Sequence, residues 1–177
     1  MKNLKKLTIL HSNDMHGDFL AEQIDQRLVG SGAIRSYSLG PVVHYADLVE
    51  CLPYDDAVYM LKVTGTQLER MIRHILRDEA FQGEHTEFSH GMRIVWSRSA
   101  QTFRTLTLDG EALYADRLYT VAMQKYHYNN LKAFLNITLE EAEENGRTRV
   151  LSTSARDVVE EYLMVNQHLN RRAEGRL

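Results

Sequence analysis

The sequence is short of several features that would assign a protein to a class. It has one cysteine, Cys51, in 177 residues, so no disulfide can form within the chain and the redox compartment is left open. No apolar run approaches the roughly 20 residues that cross a bilayer, so no membrane partner is predicted. The net charge of −3 comes without a basic excess, so nucleic-acid binding is not predicted either.

The first ten residues place lysines before a few apolar residues, as an export signal does. The apolar run at 7–10 is much shorter than the roughly 7–15 residues of such a signal, and polar residues follow it at once. We therefore expect the chain, as written, to be cytoplasmic. Its length suffices for one domain with a buried core, and 44% hydrophobic with 25% charged residues is an ordinary globular composition.

The hydrophobic pattern predicts strands and helices in alternation. The clearest helix begins at Thr64 and runs to about Glu79, because its apolar residues recur at the spacing of one buried helical face. Strands are predicted at 5–11, 57–64, 92–97, 103–108, 119–123 and 150–152, and shorter helices at 45–51, about 129–135, from 138 to about 145, and from 154 to about 170. This mixture predicts an α/β fold of mixed α+β layers.

A first candidate site follows the first predicted strand, in the segment LTILHSNDMHGDF. Asp14 and His16 offer a carboxylate oxygen and an imidazole nitrogen to one point, which suits a divalent transition metal. A lone Asp-x-His is more often incidental. The whole segment, however, resembles the opening motif of the calcineurin-like metallophosphoesterases in the form that 5'-nucleotidases carry. The resemblance implies that Asp14 and His16 are ligands of a Zn- or Mn-type ion.

The other metal motifs of that family are missing from the sequence. There is no later Gly-Asp, Gly-Asn-His-Glu or His-x-His motif in the family's context, and two ligands fall short of the three or four that a metal site uses. We therefore expect no stably bound metal ion and no catalytic residue in this chain. Residues 1–18 are interpreted as a remnant of the metallophosphoesterase domain, and 19–29 as a junction.

A second candidate site combines a flexible loop with two tyrosines. In GSGAIR, Gly30 and Gly32 precede Arg35, whose guanidinium can bind phosphate or carboxylate where glycines let a ligand approach. Tyr54 follows Pro53 in a polar turn, where a ring can stack on a flat base. A surface arginine and a tyrosine at the edge of the core are the plainer alternatives.

The segment GSGAIRSYSLGPVVHYADLVECLPYDDAVYMLKVTGTQLERMI resembles the C-terminal domain of the 5'-nucleotidase and UDP-sugar hydrolase family, motif by motif and in order. Residues 30–177 are accordingly expected to form such a domain. The resemblance implies that Arg35 contacts the substrate phosphate and that Tyr54 and Tyr126 enclose the base. Tyr128 is the alternative to Tyr126 if the alignment is shifted by two residues.

The sequence also departs from that family at two substrate-contacting positions. Gly30 stands where the family has an asparagine, and Lys132 where it has an aspartate. Selectivity for sugar or base is therefore expected to differ, with Asn129 or Asn130 taking over part of the hydrogen bonding.

These observations favour a nucleotide-recognising domain whose intact relatives hydrolyse nucleoside 5'-phosphates or UDP-sugars, and which is inactive alone. Two alternatives remain at this stage. Another chain could complete a metallophosphoesterase, or the domain could be a non-enzymatic interaction module in which the tyrosines serve packing.

An apolar strand at 5–11 that is separated from its sheet would offer unpaired backbone groups to another chain. We therefore expect it to dock on the domain or to form a homodimer.

Overall fold

In a computed structural model of the protein, the described residues are 26–30, 35, 39, 42–77, 86–88 and 91–167. The predicted strand at 5–11, Asp14, His16 and Gly32 lie outside them. The strands are β1 (Gln26–Gly30), β2 (Val58–Thr64), β3 (Thr86–Phe88), β4 (Met92–Ser97), β5 (Thr102–Leu108), β6 (Glu111–Ala112), β7 (Leu118–Gln124) and β8 (Arg149–Ser152). The helices are α1 (Tyr45–Cys51), α2 (Gly65–Ile75), α3 (Lys125–Asn129), α4 (Leu131–Leu135), α5 (Leu139–Glu143) and α6 (Ala155–Val165).

The strands form two sheets within the described part of the chain. The larger has five strands in the order β3-β1-β7-β2-β8, and the smaller has the order β4-β5-β6. β1 runs parallel to β7, while the other neighbouring strands are antiparallel. The turn between β5 and β6 has positive φ at both Asp109 (51°) and Gly110 (84°), which is typical of a tight two-residue hairpin.

The main core lies between the larger sheet and α2. β2 and β7 pair along their whole length and bury Leu61, Val63 and Val121. From α2, Leu68, Met71 and Ile72 pack into the same core. Thr64 caps α2, because its hydroxyl accepts a hydrogen bond from the Gln67 backbone nitrogen and the Gln67 side chain binds back to the Thr64 backbone. This confirms the predicted buried face.

A second, smaller core joins α1 to α6. It consists of the buried residues Leu39, Leu48, Cys51, Leu52 and Val159. Ser154 caps α6, as predicted, by accepting a hydrogen bond from the Asp157 backbone nitrogen at 2.9 Å. The fold class of mixed helix and sheet layers is confirmed.

Four predicted boundaries were wrong. Gly30 ends β1 instead of opening the loop, since β1 is bonded to both β3 and β7. α2 ends at Ile75, before Glu79, with the Leu76 backbone bonded to Ile72. The helix expected at about 129–135 is two helices that meet at Asn130, and α6 ends at Val165, before Asn170. At each of these two helix ends an asparagine side chain donates a hydrogen bond to the backbone carbonyl four residues earlier, Asn130 to Tyr126 and Asn166 to Tyr162.

Candidate functional site

Three chain segments that carry predicted site residues meet at one edge of the larger sheet. Because β1 is parallel to β7 and β2 is antiparallel to it, the ends of β1 and β7 lie beside the start of β2. Val58 pairs with Gln124 of β7 and with Ser152 of β8. The Lys125 backbone nitrogen also donates to the Ala57 carbonyl at 2.8 Å. We call this edge, with Arg35, Tyr54 and Tyr126, the site edge.

Tyr54 lies in the turn that enters β2. Pro53 disfavours helical backbone angles at the preceding residue, Leu52, which matches the end of α1 at Cys51. Tyr54 is 55% exposed. A large exposed ring next to the end of a buried sheet is a surface on which a flat ligand can stack.

Arg35 lies directly beside Tyr54. Its backbone nitrogen donates to the Cys51 carbonyl at 2.8 Å, which fixes this point of the chain to the end of α1. Its guanidinium carbon lies 5.6 Å from the centroid of the Tyr54 ring, and Nη2 donates to the Tyr54 hydroxyl at 3.4 Å. The arginine is exposed, so the guanidinium can turn to an anion in solvent.

Tyr126 lies in α3, directly after β7, and is 50% exposed. Its ring contacts Phe134 at 5.3 Å and His127 at 5.6 Å between centroids. The short turn of helix that carries it is held by Asn130, whose Nδ2 donates to the Tyr126 carbonyl at 2.8 Å. Tyr126 is therefore half exposed, and its ring is supported by two neighbouring rings.

Tyr128 is used differently from Tyr126. Its ring stacks on Tyr59 at 4.1 Å between centroids with the planes 13° apart, and its hydroxyl bonds the Thr148 hydroxyl at 2.9 Å. Both polar and apolar parts of this side chain are thus engaged in packing. Of the two tyrosines that sequence reasoning left open, Tyr126 is the one with the accessible ring.

The two departures from the family pattern have visible consequences. Lys132 is exposed and its Nζ donates to the Asn136 side chain at 3.1 Å, so the position compared above with an aspartate carries a cation. Gly30 is paired in β1 with Thr86 and brings no side chain to the site edge. Asn130 uses its amide nitrogen to bond Tyr126, whereas Asn129 is exposed.

His74, on the polar side of α2, is engaged by a neighbouring helix. Its Nε2 lies 2.9 Å from the Ala133 carbonyl, a contact that joins α2 to α4, and the ring also contacts Arg77. A histidine on the polar side of a helix is solvated only if no neighbouring helix covers it. Here α4 packs against α2, which the sequence pattern did not show.

Sequence reasoning missed a polar network around the turn that carries Tyr54. Asp55 Oδ1 accepts hydrogen bonds from the Ser154 hydroxyl at 2.7 Å and the Arg156 backbone nitrogen at 3.2 Å. Partial burial raises the pKa of Asp55, but these two hydrogen bonds and the Arg156 charge outweigh it and lower the pKa below the ordinary value. About one hundred residues separate the partners, so no local signal could have found the network.

The described part of the chain has neither a cluster of metal ligands nor a membrane-spanning helix. Within it, no group of three or more His, Cys, Asp or Glu side chains could hold an ion, and the predicted ligands Asp14 and His16 lie outside it. Over the same residues, no helix is long and apolar enough to cross a membrane.

Comparisons with known proteins place the chain in a family. Residues 22–137 match the sequence model described as "5'-nucleotidase, C-terminal domain". No curated protein sequence matches the chain significantly. The match begins inside the segment assigned above as a junction and ends before α5.

Solved structures share the fold. A 5'-nucleotidase precursor from Thermus thermophilus has a TM-score of 0.67 at 18% identity, over 86% of this chain and 31% of its own. The NAD nucleotidase of Haemophilus influenzae has 0.63 at 13% identity, over 81% and 27%. A sulfate thiohydrolase from Thermus thermophilus, in complex with glycerol, has 0.59 at 18% identity, over 86% and 28%. The chain thus spans about three tenths of the length of these proteins.

Proposed function

Because the chain belongs to the 5'-nucleotidase C-terminal domain family, we propose that its site edge recognises nucleoside 5'-phosphates. Tyr54 and Tyr126 stack on the two faces of the base, and Arg35 binds the phosphate. One observation carries the proposal. Two half-exposed tyrosines lie next to the ends of neighbouring strands at the same edge, and an exposed guanidinium lies beside one of them.

The arrangement suits the parts of a nucleotide. A base offers two flat faces, and each stacking contact contributes roughly 1–3 kcal/mol. A phosphate offers oxygens that a guanidinium binds in a forked geometry. Association and ordering of the loop around Arg35 offset part of this gain. Binding by the chain alone is therefore expected at about the millimolar level.

The chain's own role in this proposal is substrate recognition. Asp14 and His16 match the first metal motif of 5'-nucleotidases, yet two side chains are fewer than the three or four that hold a catalytic ion. The described residues offer no further cluster of ligands. We therefore assign no hydrolytic step to this chain. In an intact enzyme of this family, the divalent ions that activate water would be held outside the domain described here.

The proposal is tested by isothermal titration of the purified chain with AMP, UMP and adenosine. Tyr54→Ala removes one stacking surface. Tyr114→Ala is the matched control, because Tyr114 is 58% exposed and lies at the opposite edge of the sheet, near the start of β7 and α2. Both changes remove an exposed ring, so both are expected to leave the fold intact.

Saturable binding that Tyr54→Ala loses and Tyr114→Ala keeps would support the proposal, and the order of affinities would name the preferred base. Absence of binding by the folded wild-type chain to all three ligands would contradict it. Metal-dependent phosphate release from AMP by the chain would also contradict the assignment of recognition without hydrolysis. It would indicate that copies or other chains complete a metal site.

A further inference from the structure

The turn that carries Tyr54 has few constraints of its own. Residues 52–57 form neither helix nor strand, and Tyr54 itself projects into solvent. A ring on such a turn stacks well only if the backbone beneath it is held, because ordering on binding costs free energy. The source of that constraint decides which residues control nucleotide affinity.

The start of α6 binds the turn on both sides of Tyr54. Before the tyrosine, Arg156 donates to the Leu52 carbonyl from Nε at 3.2 Å and from Nη2 at 3.0 Å, and to the Pro53 carbonyl at 3.2 Å. After it, the Ala155 backbone nitrogen donates to the Asp56 carbonyl at 2.9 Å. The backbone is thus bonded two residues either side of the ring.

Asp55 completes this set of contacts. Its Oδ1 accepts from the Ser154 hydroxyl and the Arg156 backbone, and its Oδ2 lies 3.9 Å from Arg156 Nη1. The Arg156 side chain is only 13% exposed, so its charge depends on these partners. An arginine is well suited here, because its planar fork can donate to several acceptors at once.

We propose that Ser154, Arg156 and Asp55 are positioning residues that hold the Tyr54 ring ready for base stacking. The inference rests on the proposed nucleotide function and extends it to α6, which lies after the last residue matched by the family model. Nucleotide affinity is then set partly by a helix about one hundred residues away in sequence from the stacking ring.

A purely structural role for these residues makes a different prediction, and the chain offers a matched control. Ser154 and Thr64 are the N-caps of two eleven-residue helices, and each accepts one backbone hydrogen bond. Thr64 lies at the end of β2 far from Tyr54. Ser154→Ala therefore removes a cap and the bond to Asp55, whereas Thr64→Ala removes only a cap. Arg156→Lys keeps the charge and removes the fork.

The experiment combines two readouts. The nine tyrosines are labelled as 3-fluorotyrosine, and the ¹⁹F resonance of Tyr54 is assigned with Tyr54→Phe. AMP affinity is measured by titration on the same samples. We expect Ser154→Ala and Arg156→Lys each to shift the Tyr54 resonance in the free chain and to weaken AMP binding about tenfold, because a misplaced ring loses part of its stacking contact. Thr64→Ala should lower the Tm and change neither readout.

An unshifted Tyr54 resonance with wild-type AMP affinity in both variants would overturn the inference, and so would equal effects of Thr64→Ala. Failure of the wild-type chain to bind AMP is a separate result. It would overturn the proposed function, and the inference with it, before any variant is compared.

Discussion

The guanidinium of Arg35 lies over the ring of Tyr54, 5.6 Å from its centroid, and donates to its hydroxyl at 3.4 Å. In the free chain, the residue assigned to phosphate therefore covers the ring assigned to the base. A nucleotide that uses both must move the guanidinium from the ring to the phosphate. If a nucleotide binds as proposed, binding of its base and of its phosphate is coupled through this one side chain.

This coupling gives ligand-dependent effects for Arg35→Met. AMP should bind about tenfold more weakly or worse, because a charge-assisted hydrogen bond contributes ~1.5–3 kcal/mol. Adenosine should bind equally well or more tightly, because nothing covers the Tyr54 ring. Titration with both ligands checks this, with the exposed Arg104 of the smaller sheet changed to Met as control. An equal loss for both ligands would show that Arg35 acts by supporting the ring and does not bind phosphate.

Tyr126→Ala and Tyr128→Ala should separate binding from stability. Tyr126 is half exposed, so its removal should weaken AMP binding about tenfold, with a small effect on stability. Tyr128 stacks on Tyr59 and bonds Thr148, so its removal should cost about 1–3 kcal/mol of unfolding free energy without weakening binding directly. Urea unfolding and AMP titration of both variants decide the assignment. The reverse pattern would make Tyr128 the stacking ring.

Gly65→Ala should destabilise the domain strongly. Gly65 is the first residue of α2, and a Cβ there would overlap the Tyr114 carbonyl, a backbone atom that cannot move aside alone. Overpacking of this kind costs about 1–3 kcal/mol, which should lower the Tm by about 2–12 °C. Thermal unfolding checks it. A Tm within about 1 °C of wild type would mean that α2 and the Tyr114 segment are not in close contact.

Low pH should lower the stability of the fold, because it protonates Asp55 and Glu141. The hydrogen bond from the Thr138 backbone, followed by the Arg70 contact, lowers the pKa of Glu141 below its ordinary value of 4.5, and the pKa of Asp55 is likewise below its ordinary 3.8. Since the folded pKa values are lower than the unfolded ones, the ionised groups stabilise the fold above those unfolded values. That stability is lost as the pH falls through the folded pKa values.

The matching test compares urea midpoints at neutral pH and at a pH below the ordinary carboxyl values. Glu141→Gln and Asp55→Asn should be less stable than wild type at neutral pH, and the difference should shrink at the lower pH. The exposed Asp116→Asn serves as control. A difference that stays constant with pH would show that neither carboxylate contributes through its charge.

Local signals predicted much of the fold. The capping residues Thr64, Thr138 and Ser154 each mark a helix start, and Asp109-Gly110 marks a hairpin, because these effects involve residues close in sequence. The break at Asn130 was missed, because the hydrogen bond from its side chain to the Tyr126 carbonyl cannot be read from the sequence pattern. The strand order was also beyond the sequence pattern, because it depends on pairing between distant segments.

The exposed residues of the candidate site were named from the sequence, whereas the residues that support them were not. Arg35, Tyr54 and Tyr126 were named from motif resemblance, and the sheet brings their three segments to one edge. Arg156 was not named, because its bonds to Leu52 and Pro53 join residues more than one hundred positions apart. A surface-like arginine in a helical pattern gives no sign that it is almost buried in the fold.

Proton NMR tests most directly whether one base lies between Tyr54 and Tyr126. With AMP near saturation, we expect intermolecular nuclear Overhauser effects from the purine H2 and H8 protons to the ring protons of both tyrosines, assigned with Tyr54→Phe and Tyr126→Phe. Saturable AMP binding with Overhauser effects to neither ring would contradict it and would place the nucleotide elsewhere on the domain.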